Sequence, residues 1–184
     1  MRLWHKDLIG YLPQQQLIAQ WRELCLIAGL LAKDHTPNHI LVNPILDYDP
    51  SHFISYCSLV YKECYERGYQ MHDKPKKKLD DDIRAWQLYL RDSLPWKLDD
   101  KIPVPYSDLY AKWHNQRYAC QCYYNLEEKY DRGAITDREW DKILIWSKDL
   151  CLVDMFPMNP PINPSMNDWK EMVDKVWEEG DKDK

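Results

Sequence analysis

Cysteine and histidine are the side chains in this sequence best suited to binding a metal, but their spacing fits no metal site. Cys120 and Cys122 are two residues apart on a predicted helix and therefore point to different faces. No second cysteine pair stands at zinc-ligand spacing, and no histidine pair at i, i+4 flanks a glutamate. Cys57 and Cys64, seven residues apart, share one helix face and are expected in the core. We therefore predict no metal site and no cofactor.

The signatures of other common enzyme classes are also missing from the sequence. It has no glycine-rich loop that could hold a phosphate, and no Gly-x-Ser-x-Gly turn around a nucleophilic serine. A charged pair, Arg22-Glu23, stands on a predicted helix. On its own, such a pair is an ordinary surface ion pair of little consequence for stability. The residue types alone do not identify a reaction.

The composition predicts a soluble, globular protein. Of the 184 residues, 45% are hydrophobic and 30% are charged, and no apolar run approaches the roughly 20 residues that span a bilayer. The N-terminus lacks the apolar segment of a signal peptide, so we expect a cytoplasmic protein whose six cysteines are thiols. The net charge of −5 argues against a broad surface that coats nucleic acid but leaves a local basic site open.

The spacing of apolar residues predicts an all-α protein, a compact helical domain of about five to six helices with Pro-rich connections. The first helix is predicted from about Gln14 to Lys33, with Pro13 at its start, where proline is tolerated. A second helix begins after Asp49 or Ser51, either of which could cap it, and ends before Gly68.

Further helices are predicted beyond residue 72. The segment 73–82 contains four lysines and four aspartates and is interpreted as a solvated linker into a helix from about Asp81 to Asp92. Ser107 is predicted to cap a long helix that ends near Arg132, before Gly133.

A capping box predicts another helix in the C-terminal part of the chain. Thr136 and Glu139 stand at its spacing, and the helix would extend to about Leu150. A last amphipathic helix is predicted over 168–179. We divide the chain into an N-terminal helical core (1–72), a charged and Pro-containing connection with a short helix (73–105), and a C-terminal helical region packed on the core (106–184).

Three short motifs lie in the first third of the chain, in an order typical of one family. They are Met1-Arg2-Leu3, Gln16-Leu17-x-Ala19-x-x-Arg22-Glu23-Leu24 and Glu63-Cys64-x-x-Arg67-Gly68-Tyr69. Through them, residues 1 to about 70 resemble the pyrimidine-dimer DNA glycosylase (phage endonuclease V) family. The whole chain is similar to a bacterial branch grouped with that family, which also begins Met-Arg-Leu-Trp, and here a C-terminal helical region is added.

The resemblance implies a helical DNA-repair enzyme with two activities on damaged double-stranded DNA. It would remove the 5′ base of a pyrimidine dimer by attack at the sugar carbon, and then break the strand at the abasic site. The nucleophile implied is the α-amine at the start of the chain, here Met1, and the essential carboxylate is Glu23. An α-amino group loses its proton at a pH far below that of a lysine side chain, and a carboxylate can stabilise positive charge and move protons.

The resemblance also implies residues that contact DNA. Arg2 and Arg22 would bind backbone phosphates. Gln16 occupies the position of a family histidine and is predicted to contact DNA. His5 is a candidate to replace that histidine, but a solvated side chain is the favoured interpretation of His5. His52 matches a family histidine at the start of a helix and is included among the predicted DNA contacts, although a role in the cap region of that helix is the favoured interpretation.

The sequence differs from the family at its second residue. Family members expose a threonine after the initiator methionine is removed, whereas Arg2 is too bulky for that removal, so Met1 should persist and supply the amine. We then expect the amine within about 5 Å of Glu23. A larger separation would favour a helical interaction or DNA-binding module without catalysis. A glycosylase for another lesion is a second alternative, and Lys6 is the first alternative nucleophile.

Overall fold

The computed structural model describes residues 1–93 and 103–150, and within these ranges all regular secondary structure is helical, which confirms the predicted all-α class. The predicted helix over 168–179 lies outside the described residues. The helices are α1 (Gln14–Asp34), α2 (Pro50–Glu66), α3 (Asp73–Ser93), α4 (Gln116–Asp131) and α5 (Asp137–Asp149), together with two short 3₁₀ helices, Lys6–Tyr11 and Asn43–Asp47.

Helix α1 lies at the centre of the fold, where it packs against both α2 and α3. Its predicted apolar stripe is the buried face, because residues three and four apart on a helix share one side. Each large apolar side chain buried in this way contributes about 1.5–3 kcal/mol to stability. The helix ends at His35, whose φ of 59° is left-handed. The stripe consists of Leu17, Trp21, Leu24, Ala28 and Leu31.

Helix α2 has the boundaries that the sequence predicts. The side chain of Asp49 accepts a hydrogen bond from the backbone N–H of Ser51 at 2.8 Å and so caps the first turn. Gly68, just beyond the last turn, has a φ of 71°, a conformation that glycine adopts without strain.

The third sequence motif has a structural role at the end of α2. Arg67 forms an ion pair with Glu63 at 2.6 Å and donates hydrogen bonds to the carbonyl oxygens of Leu12 and Gly10 at 2.6 and 2.8 Å. Both carbonyls lie in or directly after the first 3₁₀ helix. Arg67 therefore holds α2 against the segment that leads into α1.

Helix α3 begins at Asp73, so the interpretation of residues 73–82 as a solvated linker is wrong, and the helix is 21 residues long. Pro75 falls in the first turn, where it costs no intrahelical hydrogen bond. Ion pairs one turn apart stabilise this part of the helix, Lys76 with Asp80 and Lys78 with Asp82, each at 2.6 Å. The apolar face then packs against α1 through Leu79, Ile83, Trp86 and Leu90.

Helix α4 begins at Gln116, so the prediction of a long helix that starts at Ser107 is wrong at its N-terminus. Tyr110 is fully buried and has a φ of 51°, which an α-helix cannot accommodate. The cap is Asn115, whose side chain accepts a hydrogen bond from the backbone N–H of Tyr118 at 3.1 Å. Packing of one aromatic ring thus breaks a segment whose local sequence favours a helix.

Helix α5 follows the prediction closely. Thr136 and Glu139 form both bonds of the capping box. The helix packs against α4 and against the first 3₁₀ helix, which joins it to the N-terminal part of the chain. No helix in the described part of the chain is both long and apolar enough to span a membrane. The division of the chain into three parts stays a prediction.

Candidate active site

The first four residues form an extended segment, here called the N-terminal segment, that lies along α1. The backbone N–H of Arg2 donates to Oε2 of Glu23 at 3.0 Å, and the backbone N–H of Trp4 donates to Oε1 of Gln20 at 2.9 Å. Gln20 and Glu23 are three residues apart and therefore share one face of α1. The backbone amides of Arg2 and Trp4 thus bond to two side chains on adjacent turns of α1.

Two tyrosines hold the carbonyl groups of the same segment. The hydroxyl of Tyr118, on α4, donates to the carbonyl oxygen of Leu3 at 2.5 Å, and that of Tyr56, on α2, donates to the carbonyl oxygen of Trp4 at 2.6 Å. Burial raises the pKa of both phenols above the ordinary range, so both stay protonated donors. Three helices therefore fix the position of the chain terminus.

The terminal amine of Met1 and the carboxylate of Glu23 face each other at this point. The amine nitrogen lies 3.9 Å from Oε1 of Glu23, the carboxylate oxygen not used by Arg2. This is within the expected 5 Å but longer than a direct hydrogen bond, so a proton transfer between the groups would need one bridging water or a small movement. The side chains are 23% and 30% exposed, so solvent and ligand can reach them.

A cleft of about 430 Å³ opens over this pair. Its volume lies within the range of small-molecule sites. The walls are the N-terminal segment, one face of α1, the loop that follows α1, and α4. The lining residues are Met1, Arg2, Trp4, Gln15, Gln16, Ala19, Glu23, His39, Leu41, Asn125 and Lys129.

Two of the predicted DNA-binding residues line this cleft. The guanidinium of Arg2 lies over the ring of Trp4, 5.2 Å from its centre, and Gln16 is 9% exposed. Among the described residues, neither Nη1 of Arg2 nor Oε1 of Gln16 has a hydrogen-bond partner, although both atoms are buried. Such groups are costly when unsatisfied, which suits a donor and an acceptor that await a ligand.

The other two predicted DNA-binding residues lie outside the cleft. Arg22 is exposed and borders a separate groove between α1 and the start of α3, together with Lys74 and Lys78. Nδ1 of His52 accepts a hydrogen bond from the backbone N–H of Tyr110 at 3.1 Å, so this histidine supports the strained residue before α4. Burial lowers the pKa of His52, and its ring is neutral in this contact.

Neither Lys6 nor His5 lines the cleft. Lys6 is 8% exposed, and its Nζ donates to the carbonyl oxygens of Tyr106 and Ser107 at 2.5 and 2.9 Å. His5 is 3% exposed, and its Nε2 lies 2.8 Å from the carbonyl oxygen of His114. The structure thus uses both residues to attach the first 3₁₀ helix to the segment before α4.

Several residues of the site were not found from the sequence. Gln20 had a detectable signal, because it precedes Glu23 by three positions on the same helix face. Tyr118, Asn125 and Lys129 had none, because they are about one hundred residues away along the chain and reach the site only through packing of α4. Within the described residues, no cluster of three or more histidine, cysteine, aspartate or glutamate side chains could hold a metal ion.

Comparison with known proteins gives a match over the first part of the chain. Residues 1–77 match the family model described as pyrimidine dimer DNA glycosylase. No curated protein and no solved structure matches the chain. The matched stretch contains the N-terminal segment, α1 and α2, whereas the wall formed by α4 lies beyond it. Residues 1–77 of this chain are therefore similar to the pyrimidine dimer DNA glycosylase family.

Proposed function

We propose that this chain is a DNA-repair N-glycosylase with abasic-site lyase activity, acting on pyrimidine dimers in double-stranded DNA through the amine of Met1 and the carboxylate of Glu23. The observation that carries the proposal is the 3.9 Å distance between these groups at an open cleft. The match of residues 1–77 to the glycosylase family model supports the substrate class.

In the first step, the amine of Met1 attacks C1′ of the damaged nucleotide. A bond forms between nitrogen and C1′, and the glycosidic bond breaks, with its electron pair leaving on the base. Glu23 stabilises the positive charge that develops on the sugar and accepts a proton from the attacking amine through one water. The bond from the Arg2 amide holds one carboxylate oxygen in place while the other faces the amine.

In the second step, the amine adduct opens the sugar ring and the strand breaks. As the bond between C1′ and the ring oxygen breaks, Glu23 returns the proton it accepted to that oxygen and becomes a carboxylate again. The product is a protonated Schiff base, which acidifies the hydrogen on C2′. Glu23 is the carboxylate of the cleft able to remove that proton. The electron pair forms a double bond between C2′ and C3′ and expels the 3′ phosphate. Water then hydrolyses the Schiff base and frees the amine of Met1.

Cationic and unsatisfied polar side chains around the cleft would bind the DNA. Arg2 and Lys129 both line the cleft, and Gln16 offers a buried acceptor to the extruded nucleotide. Arg22, one position before Glu23 but on another side of α1, would meet a phosphate farther along the strand. We leave His52 out of this surface, because its ring packs against that of Tyr110 and its Nδ1 accepts a hydrogen bond from the Tyr110 amide.

Borohydride trapping tests the proposal directly. The protein is incubated with duplexes that contain either a pyrimidine dimer or an abasic site, and sodium borohydride reduces any Schiff base to a stable amine. We expect a covalent protein–DNA adduct with both duplexes, and peptide mapping should place it on residue 1. Binding of the damaged duplex without an adduct or strand cleavage would support the non-catalytic module instead. An adduct with the abasic duplex alone would indicate another lesion as the substrate.

A further inference from the structure

The loop between α1 and the second 3₁₀ helix presents two adjacent aliphatic side chains to solvent. Ile40 is 83% exposed, the highest exposure of any large hydrophobic side chain in the described part of the chain, and Leu41 is 42% exposed. Single exposed aliphatic residues are common on protein surfaces. Two in succession, beside a candidate active site, need an explanation.

Hydrogen bonds hold the loop in a defined shape. The carbonyl oxygen of His39 accepts bonds from the backbone N–H groups of Val42 and Asn43, both at 2.8 Å. The side chain of Asn43 accepts a bond from the N–H of His39 at 2.9 Å, and Val42 is fully buried. Ile40 thus stands at the tip of a turn that is fixed at both ends. A pre-shaped tip loses little conformational entropy when it binds.

The loop also forms part of the cleft that contains the amine. Leu41 and His39 line that cleft together with Met1 and Glu23, so Ile40 stands at its rim. DNA whose sugar reached the amine would lie against this rim. The cation of Lys129 lines the same cleft from α4. An aliphatic tip combined with a cation suits a nucleic-acid duplex, which has an apolar base stack inside a charged backbone.

We propose that Ile40 and Leu41 form an apolar wedge that enters the base stack of the duplex at the lesion. The inference rests on the proposed function, because the sugar carbon of a stacked nucleotide is not accessible to the amine. Extrusion of a nucleotide costs stacking and pairing energy, and aliphatic side chains inserted between base steps are a known way to offset it. Leu41 remains next to the cleft, while Ile40 fills the space that the extruded nucleotide leaves.

The test compares Ile40→Ser with a matched control, Ile145→Ser, at an exposed isoleucine of α5 that is 54% exposed. Strand cleavage is measured on a duplex with a pyrimidine dimer and on the same damaged strand alone. We expect Ile40→Ser to slow duplex cleavage by about tenfold or more and to leave single-strand cleavage almost unchanged, since the single strand needs no extrusion. Ile145→Ser should change neither rate. Equal slowing on both substrates, or none on the duplex, would overturn the wedge.

A second measurement does not depend on catalysis. A duplex with 2-aminopurine beside a pyrimidine dimer becomes more fluorescent when the aminopurine loses its stacking partner. We expect wild-type protein to raise the fluorescence on binding, and Ile40→Ser to bind without raising it. A wild-type protein that raises the fluorescence but forms no adduct and cleaves neither substrate would contradict the proposed function and support the wedge. Equal fluorescence and equal cleavage by the two proteins would contradict the wedge alone.

Discussion

The backbone N–H of Arg2 donates to Oε2 of Glu23 at 3.0 Å, so the carboxylate that faces the terminal amine also positions the residue next to it. The two oxygens of Glu23 therefore have separate tasks. One fixes the N-terminal segment on α1, and the other lies opposite the amine nitrogen of Met1. The proposed nucleophile and the carboxylate are therefore parts of a single arrangement.

Glu23→Gln should reduce strand cleavage while the protein stays folded. The amide oxygen of glutamine can still accept the bond from Arg2, but the side chain no longer moves protons. A general acid or base typically accelerates a reaction by about 100-fold or more. We therefore expect the cleavage rate on abasic duplex DNA to fall by at least about tenfold. Glu23→Ala, which also removes the acceptor, should lose more. Full activity in a folded Glu23→Gln protein would exclude this carboxylate from the mechanism.

Extension of the N-terminus should abolish the lyase activity. Each added residue moves the amine by up to about 3.5 Å, and catalysis tolerates much smaller misplacement. An uncleaved N-terminal tag and acetylation of the amine of Met1 should both eliminate the borohydride adduct, whereas a tag after Lys184 should have no effect. An adduct formed by the tagged protein would require a lysine nucleophile. Lys129, which lines the cleft, would then be the first to test, ahead of the buried Lys6.

Tyr118→Phe should lower activity through the position of the N-terminal segment. The hydroxyl bonds to the carbonyl oxygen of Leu3, a fully buried residue, so its loss leaves an unsatisfied acceptor and costs about 1–3 kcal/mol of stability. We expect kcat to fall more than binding of the duplex does. Tyr65→Phe is the matched control, since that side chain is 72% exposed on α2. Denaturant unfolding and cleavage rates, measured on both variants, would show whether the effect is specific to Tyr118.

Salt dependence of DNA binding should identify the phosphate contacts. Each phosphate neutralised on B-DNA contributes about 0.9 to the slope of log affinity against log salt concentration. Lys129→Ala and Arg22→Ala should each lower the slope by about that amount. Lys62→Ala, which removes a cation on α2 that is 71% exposed and paired with Glu66, should leave it unchanged. A normal slope in Arg22→Ala would place the groove with Lys74 and Lys78 away from the duplex.

Stability should fall as the pH drops below about 6.5. Burial lowers the pKa of His5 and brings that of His114 well below 6.5. Below pH 6.5 the unfolded chain therefore binds more protons than the folded one. The two histidines contribute fully to the free energy of unfolding above their pKa in the unfolded chain, and this contribution is lost as the pH falls toward their pKa in the folded protein. The loss is up to about 1.4 kcal/mol per pH unit for each histidine.

Denaturant unfolding at a series of pH values would measure this loss. His114→Asn should reduce the slope of unfolding free energy against pH below 6.5, since asparagine does not titrate and its amide oxygen can accept the bond from the Lys6 amide. His72→Asn, at an exposed position on the surface, is the control and should leave the slope unchanged. An identical slope in His114→Asn would exclude this histidine as a source of the pH dependence.

Much of the fold and part of the site could be predicted from the sequence. The apolar spacing of α1, the cap at Asp49, and the capping box of Thr136 and Glu139 act within a few residues, and each has its predicted place in the structure. Met1, Arg2, Gln16 and Glu23 were identified through motifs near the N-terminus, and the structure brings these four residues to one cleft. Local signals of this kind depend only on backbone geometry and on neighbouring side chains.

Tertiary packing decided the rest, because it can override local preference and join distant segments. Ion pairs one turn apart and packing on α1 extend α3 back to Asp73, where the charge run suggested a linker. Tyr110 is buried at a φ of 51°, and α4 begins only after it. Helix α4 then places Tyr118 and Lys129 beside the N-terminal segment. A contact between residues more than one hundred positions apart leaves no periodic pattern in the sequence. It exists only because burying the helix faces in one core compensates for the entropy lost in closing the chain between them.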